Sequence, residues 1–250
     1  MSKLLLSGAG GRMGRILARE AAEFGFETVA GIDNRVQSYA DFPIFASFND
    51  INVSADVIVD FSAPAALPGL VAHAKNKGIP CVLCATGYTA QEDALAVELA
   101  QYVPVFRSAN MSVGVYVLKA LAGLAAKMLP GFDIEIVEKH HNQKTDAPSG
   151  TALALFDAVA GPGAVAAYGR GKENGKRRPE EIGLHAVRGG TVAGEHDVGF
   201  YGSNETLRIV HSAQDRTIFA LGALKAARFL LLREKGLYTM DDYMRNMSER

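Results

Sequence analysis

A short apolar run, residues 3–7, ends in Gly8-Ala9-Gly10-Gly11-Arg12-Met13-Gly14. A helical pattern follows at once: Met13, Ile16, Leu17, Ala21 and Phe24 recur at three- and four-residue spacing over 12–24, and Gly25 ends it. A second apolar run, 27–32, then stops at Asp33. Strand, glycine turn, helix and strand within about 30 residues form a β-α-β unit, which restricts the chain to very few architectures. Read from Gly8, the spacing is G-x-x-G-x-x-G. The first glycine permits a tight turn, Gly11 lets backbone approach a pyrophosphate, and Gly14 lets the helix pack close to the sheet. The N–H groups of the first helical turn then face the anion. Asp33 stands about 20 residues past the glycines, where an acid accepts hydrogen bonds from an adenosine ribose. Together these features predict a dinucleotide site rather than a structural turn.

The alternation continues, with strands over 57–60, 80–84 and 104–107 and helices over 65–76 and 90–101. Such alternation builds a parallel sheet covered on both faces. The pattern changes after Asn110. A long apolar helix (113–128), a strand (132–139) and a second helix (149–159) precede a glycine-rich, charged stretch (161–181) that reads as a mobile loop. Residues 182–188, 191–201 and 206–213 read as antiparallel strands, with hairpin turns at Gly189-Gly190 and Gly202-Ser203-Asn204. A closing helix spans 220–234. The expected class is α/β: a Rossmann-type doubly wound parallel sheet plus a second α+β domain with a mixed or antiparallel sheet. Residues 1–111 and 220–250 are assigned to the dinucleotide-binding domain, and 112–219 to substrate binding and oligomerisation.

Charge excludes some function classes. Lys plus Arg (26) nearly balances Asp plus Glu (27), which argues against a nucleic-acid or membrane-surface binder. No apolar run approaches the roughly 18 residues of a membrane helix. Cys81 and Cys84 cannot make a disulfide framework, and a reducing cytoplasm is expected. Residues three apart on a strand face opposite ways, so this C-x-x-C reads as two inert buried thiols. His73, His185, His196 and His211 lack metal spacing and read as structural or surface groups; no metal is expected. The basic run from Arg170 to Arg178 reads as solvated surface.

Ligands of open α/β sheets bind at strand carboxyl ends. There stand Asp60-Phe61-Ser62-Ala63-Pro64 and Cys84-Ala85-Thr86-Gly87-Tyr88. Thr86 and Gly87 are expected near ribose or nicotinamide, and the Asn110 amide near the carboxamide. Arg12 and Arg35 flank Asp33 and are candidates for a 2′-phosphate, so a site accepting both NADH and NADPH is expected. The most polar stretch runs Glu138-Lys-His-His-Asn-Gln-Lys-Thr-Asp-Ala-Pro-Ser-Gly-Thr151. Its adjacent imidazoles, His140 and His141, point apart on an extended chain, so one faces the ligand. Imidazole gives or takes a proton near neutral pH. Lys144 supplies a cation for a carboxylate, and Ser149 is a candidate N-cap whose helix presents the Gly150 and Thr151 N–H groups to a second anion. Arg188 and Arg216 fall near strand ends of the second domain, where either could help bind a substrate anion but a surface role is favoured for each.

Three segments carry a resemblance: Gly8 to Gly14, Ala109-Asn-Met-Ser-Val-Gly-Val115, and Glu138 to Ala152 with its His-His-x-x-Lys…Ser-Gly-Thr pattern. They resemble the dihydrodipicolinate (4-hydroxy-tetrahydrodipicolinate) reductases of lysine and diaminopimelate synthesis, and the likeness covers nearly the whole chain. The resemblance implies NADH- or NADPH-dependent reduction of a cyclic dicarboxylate with loss of water, by a homotetramer. It implies His140 as general acid, Lys144 as substrate holder and helper of the acid, and His141, Gly150 and Thr151 around a substrate carboxylate. It places Gly8, Arg12, Met13 and Asp33 on the cofactor, and Ala85, Thr86, Gly87, Ala109, Asn110 and Met111 at its nicotinamide end. There are departures: Asn34 follows the strand-two acid where Arg is common, Cys84-Ala85 replaces Gly-Thr, and Asn142 and Gln143 replace basic residues. The rival readings are another two-domain dehydrogenase, which would lack a well-placed Cys nucleophile for aldehyde chemistry, and a non-catalytic NAD(P)-sensing protein.

Overall fold

The structure is a computed structural model describing residues 1–35, 39–172 and 175–248. The chain divides into two compact units, Met1–Met111 with Thr217–Arg250, and Ser112–Arg216.

The first passage through unit one runs β1 (Ser2–Ser7), α1 (Arg12–Glu20), β2 (Phe26–Ile32), β3 (Ile44–Phe45), β4 (Val57–Asp60), α2 (Leu67–Lys77), β5 (Cys81–Leu83), α3 (Ala90–Leu99) and β6 (Pro104–Arg107). Unit two holds α4 (Val113–Met128), β7 (Asp133–His140), α5 (Gly150–Val159), β8 (Val165–Tyr168), β9 (Glu181–Arg188), β10 (Gly194–Tyr201) and β11 (Thr206–Ala213). The chain then returns to unit one as α6 (Thr217–Leu230), β12 (Gly236–Tyr238) and α7 (Met240–Ser248).

Unit one is a seven-stranded parallel sheet in the order β12-β6-β5-β4-β1-β2-β3. Leu4, Leu5 and Leu6 are all fully buried, as successive residues must be when helices cover both faces. Leu5, Ile58, Leu83 and Val105 pack with Leu67, Leu70, Ala74 and Leu99 of α2 and α3. The helical stretch expected over 12–24 is α1 followed by a 3-10 turn, Ala21–Phe24, closed by Gly25 at φ 78°. Short β3 and β12 went unread because runs of two or three residues carry no periodicity, and the nine-residue α7 went unread as well. The closing helix starts at Thr217, three residues before the expected Ala220.

Unit two is a five-stranded mixed sheet in the order β11-β10-β7-β9-β8. Helices α4 and α5 pack on each other and on one face of this sheet, burying Leu118, Ala122, Ala152 and Leu155 with Ile136, Leu184, Val198 and Phe200. Two expectations are corrected here. Gly189-Gly190 is not a hairpin turn, because β7 lies between β9 and β10 and pairs parallel with one and antiparallel with the other. The segment instead steps over the end of β7: Gly189 N–H donates to the His140 carbonyl (2.9 Å), and the Gly190 carbonyl accepts from Asn142 N–H (3.2 Å). The hairpin expected at 202–204 does join paired strands, β10 and β11.

The second correction concerns residues 161–181. This stretch contains β8, paired with β9. Its basic run is not merely solvated: Arg177 bridges Asp133 (2.9 Å) and Glu135 (3.1 Å) of β7, Arg178 bonds Glu181 (2.9 Å), and Arg170 also meets Glu181. Acids on β7 and β9 pair with these arginines; Arg177 is largely covered, while Arg178 stays exposed. Residues 173 and 174 of that stretch lie outside the described residues.

Candidate active site

In unit one the expected cofactor residues gather along one edge of the sheet. All its strands run parallel, so the segments after β1, β4, β5 and β6 emerge at the same edge. The strand order reverses between β1 and β4, the position where open α/β sheets take ligands. Gly8, at φ 79°, lies against the β4 exit, where a Cβ would stand 2.8 Å from the Phe61 carbonyl oxygen. A Cβ on Gly14 would overlap the Gly8 carbonyl. Gly11 caps α1 with no side-chain hydrogen bond, and no acid stands in that helix's first turn, which opens with Arg12 and Met13. A cradle closed to any Cβ, above a helix start without a side-chain anion, fits a pyrophosphate.

Asp33 reaches back into this cradle, accepting from the N–H groups of Gly10 (2.9 Å) and Arg35 (2.9 Å). Two acceptor bonds leave carboxylate lone pairs for a ribose hydroxyl. Tyr39 donates to the Ala9 carbonyl at 2.7 Å. At the β5 exit, Arg107 donates to the Ala85 carbonyl (3.0 Å), while Thr86 and Gly87 are exposed. At the β6 exit, Ser108 Oγ donates to the Asn110 carbonyl (2.6 Å), and Ala109 and Asn110 lead into buried Met111. Asp60, at the end of β4, is buried and accepts from the Ser62 hydroxyl (2.5 Å); burial raises its pKa.

Unit two assembles the polar segment around Glu138. Residues i and i+2 of a strand share a face, so Ile134, Ile136, Glu138 and His140 form the row of β7 that the helices cover. Ile136 and Glu138 are both 0% exposed. The Glu138 carboxylate accepts Arg188 Nη1 (2.8 Å) and Nη2 (2.7 Å), the Ser149 N–H (3.0 Å) and His140 Nδ1 (2.5 Å). Burial works to raise this carboxyl, but the bonds from Arg188, His140 and Ser149 outweigh it and hold it below the usual range. Since an ionised carboxylate only accepts, Nδ1 of His140 carries the proton. The other nitrogen, Nε2, faces Gly194, where a Cβ would stand 3.1 Å away. Burial pushes His140 below the usual imidazole range; Glu138 opposes this shift, and Lys144 and Arg188 add to it.

His196 of β10 stands edge-on to His140, ring centroids 5.2 Å apart, with Nε2 3.2 Å from Ser149 Oγ. Burial, then the neighbouring His140, lowers its pKa to about 4. Ser149 caps α5 by accepting from the Ala152 N–H (3.2 Å), and Gly150 and Thr151 form the first helical turn, which holds no acid. Lys144 is paired with both oxygens of Asp146 (2.7 and 2.8 Å). His141 lies 3.1 Å from Arg216 Nη2.

The two halves of the chain match two family models, dihydrodipicolinate reductase N-terminus over residues 2–111 and C-terminus over residues 114–244. The chain belongs to the dihydrodipicolinate reductase family. It is 49% identical over 249 residues to the 4-hydroxy-tetrahydrodipicolinate reductase of Caldanaerobacter subterraneus, covering 98% of this chain and 99% of that one. It is 44% identical over 246 residues to that of Clostridium tetani, covering 96% of each. Among solved structures, a dipicolinate-bound dihydrodipicolinate reductase from a Paenisporosarcina species aligns with TM-score 0.77 at 22% identity, covering 96% of this chain and 97% of that one. A myo-inositol dehydrogenase from Corynebacterium glutamicum shares the fold at TM-score 0.58 and 16% identity, with 94% and 90% covered.

Sequence reasoning missed three side chains of this reductase's polar cluster. Arg188 and His196 were read as surface or structural groups, yet Arg188 forks onto a buried carboxylate and His196 meets both His140 and Ser149. Arg216, too, read as surface, touches His141. Glu138 opened the quoted segment without being singled out, although the pattern Ile134-x-Ile136-x-Glu138-x-His140 puts an acid in an otherwise apolar row. That break in alternation was the available signal. Cys81 and Cys84 are both buried, and burial raises both thiols well above their ordinary pKa.

Proposed function

We propose that this chain reduces 4-hydroxy-tetrahydrodipicolinate to tetrahydrodipicolinate with NADH or NADPH and one proton, releasing water, in lysine and diaminopimelate synthesis. The observation that carries this reading is the Glu138–His140 pair beside Lys144 and the start of α5, in a chain whose halves match both halves of the reductase family. The reduced nicotinamide, when bound, supplies the hydride. Gly8, Gly11, Arg12, Met13 and Gly14 would hold its pyrophosphate, Asp33 and Arg35 its adenosine end, and Ala85, Thr86, Gly87, Ala109, Asn110 and Met111 its nicotinamide end.

The cyclic diacid needs cations or N–H groups at its carboxylates and a proton donor at its ring. Lys144 serves one carboxylate; His141 and the Gly150–Thr151 turn serve the other. His140 keeps Nδ1–H on Glu138, so the transferable proton sits on Nε2. A dianion bound nearby favours the imidazolium that burial disfavours, so substrate binding charges the acid. General-acid help of this kind is worth about 10²–10⁴-fold.

We further propose a cytoplasmic location and a homotetramer. No helix among the described residues is long and apolar enough to cross a membrane. Exposed Val187, Leu207 and Val210 on the sheet of unit two support assembly. The test is purified protein with substrate generated enzymatically in situ, following NADH and NADPH oxidation separately. Oxidation of neither overturns the reading.

A further inference from the structure

We propose that Glu138 and Arg188 are positioning residues: together they fix which nitrogen of His140 holds its resting proton and how readily the other one is protonated. The inference rests on the reading of His140 as proton donor and extends it to two side chains that need not touch substrate.

The geometry leaves little freedom. One carboxylate oxygen, Oε1, takes the Ser149 N–H and Arg188 Nη2; the other, Oε2, takes Arg188 Nη1 and His140 Nδ1. Arg188 is itself fixed. It stands opposite His140 in the β7–β9 register, and its guanidinium also donates to the carbonyls of Asp146 (2.6 Å) and Val187 (2.8 Å). Neither partner can turn without breaking a buried bond. A buried donor or acceptor left unpaired costs about 1–3 kcal/mol, so the carboxylate is held with one lone pair aimed at Nδ1. The imidazole must answer with Nδ1–H, which leaves Nε2 as the nitrogen for chemistry. Holding a histidine in one tautomer is how a buried carboxylate serves catalysis in other enzymes.

The charges set the second half of the proposal. The groups facing His140 are Glu138 on its own strand, Lys144 from the following loop, Arg188 from β9 and His196 from β10. Lys139 faces the other way and pairs with Glu195. Without Arg188, Glu138 would hold the imidazolium tightly and make it a weak acid. Without Glu138, two cations would surround it and it would scarcely form. The pair lies between these extremes, and the two residues pull in opposite directions.

Glu138→Gln tests the tautomer. The Ser149 N–H and Arg188 Nη2 require the amide oxygen at the Oε1 position, so the amide NH2 faces His140. Nδ1 must then accept, and the proton moves to Nε2. In 15N and 13C histidine NMR of the ligand-free protein, wild-type His140 is expected as the Nδ1–H tautomer and Glu138→Gln as the Nε2–H tautomer. The His140 titration midpoint should fall by about one unit, tenfold in proton affinity, in Glu138→Gln. It should rise in Arg188→Met. The pH profile of kcat should move in the same two directions, with kcat of Glu138→Gln down about 10²-fold or more. An unchanged tautomer, or midpoints that stay put or move the same way, overturns the proposal, since a merely structural role would lower activity without moving them. If Glu138→Gln does not fold, the direction of the shift in Arg188→Met decides alone. The titration needs no turnover, so a wild type inactive on this substrate would remove the functional reading and still leave this pair to be judged.

Discussion

Arg188 and Glu138 meet through two hydrogen bonds, 2.7 and 2.8 Å, on a carboxylate that has no exposed surface. The guanidinium comes from the end of β9 and the carboxylate from β7, so the pair ties the two strands at the point where the polar segment begins. Breaking such a pair by removing one partner costs about 3–5 kcal/mol, because the other charge stays buried alone.

His140→Gln keeps a polar side chain but removes the proposed proton donor. Its kcat is expected to fall about 10²–10⁴-fold, with the Kd for NADH within about twofold of wild type, since the cofactor residues are elsewhere in the chain. Steady-state kinetics and a cofactor titration check both halves. Unchanged kcat would remove His140 from the mechanism.

Lys144, the proposed partner of a substrate carboxylate, is paired with Asp146. The Asp146 side chain is 57% exposed, and exposed pairs are worth only up to about 1 kcal/mol. Asp146→Asn should therefore tighten dipicolinate binding by up to about fivefold, measured by calorimetry. Weaker binding in this variant would show that Asp146 assists the ligand rather than competing with it.

His196 makes folding sensitive to acid. Its folded pKa, about 4, lies below the ordinary 6.5 because the ring is buried and faces His140. Below pH 6.5 the unfolded chain therefore binds the proton more readily, and stability is lost as pH falls from 6.5 towards 4. The full difference is on the order of 3 kcal/mol. Urea melts of wild type and His196→Asn across this window should converge as pH drops. Parallel curves would mean that His196 titrates normally.

In the proposed cofactor site Asp33 would meet the ribose, and Arg12 and Arg35 are the candidates for a 2′-phosphate. The ratio of kcat/KM for NADH and NADPH should lie within a thousandfold either way. Asp33→Ala should harm NADH more than NADPH, because it removes an acceptor from one and a like charge from the other. A wild-type preference beyond a thousandfold would refute dual use.

Much of this was legible in the amino-acid order, for reasons that can be named. The helix 113–128 matches α4, because Ser112 caps a long apolar run and its Oγ accepts from the Val115 N–H at 3.2 Å. Ser149 was readable as the cap of α5 from Pro148-Ser149-Gly150. The neighbours of β9 were not readable: two glycines look the same whether they reverse a strand or carry it over the end of another. The partners of Glu138 were hidden for a related reason. Arg188 and His196 lie 50 and 58 positions away in sequence, and only pairing to either side of β7 brings them to it.

Position 194 shows how a site can depend on an atom that is not there. A methyl group at this point would press on Nε2 of His140 from 3.1 Å, capping the one ring nitrogen that Glu138 leaves available. An alanine there would force the imidazole or the strand to give by a few tenths of an ångström, and that ring is the one whose other nitrogen is held on Glu138.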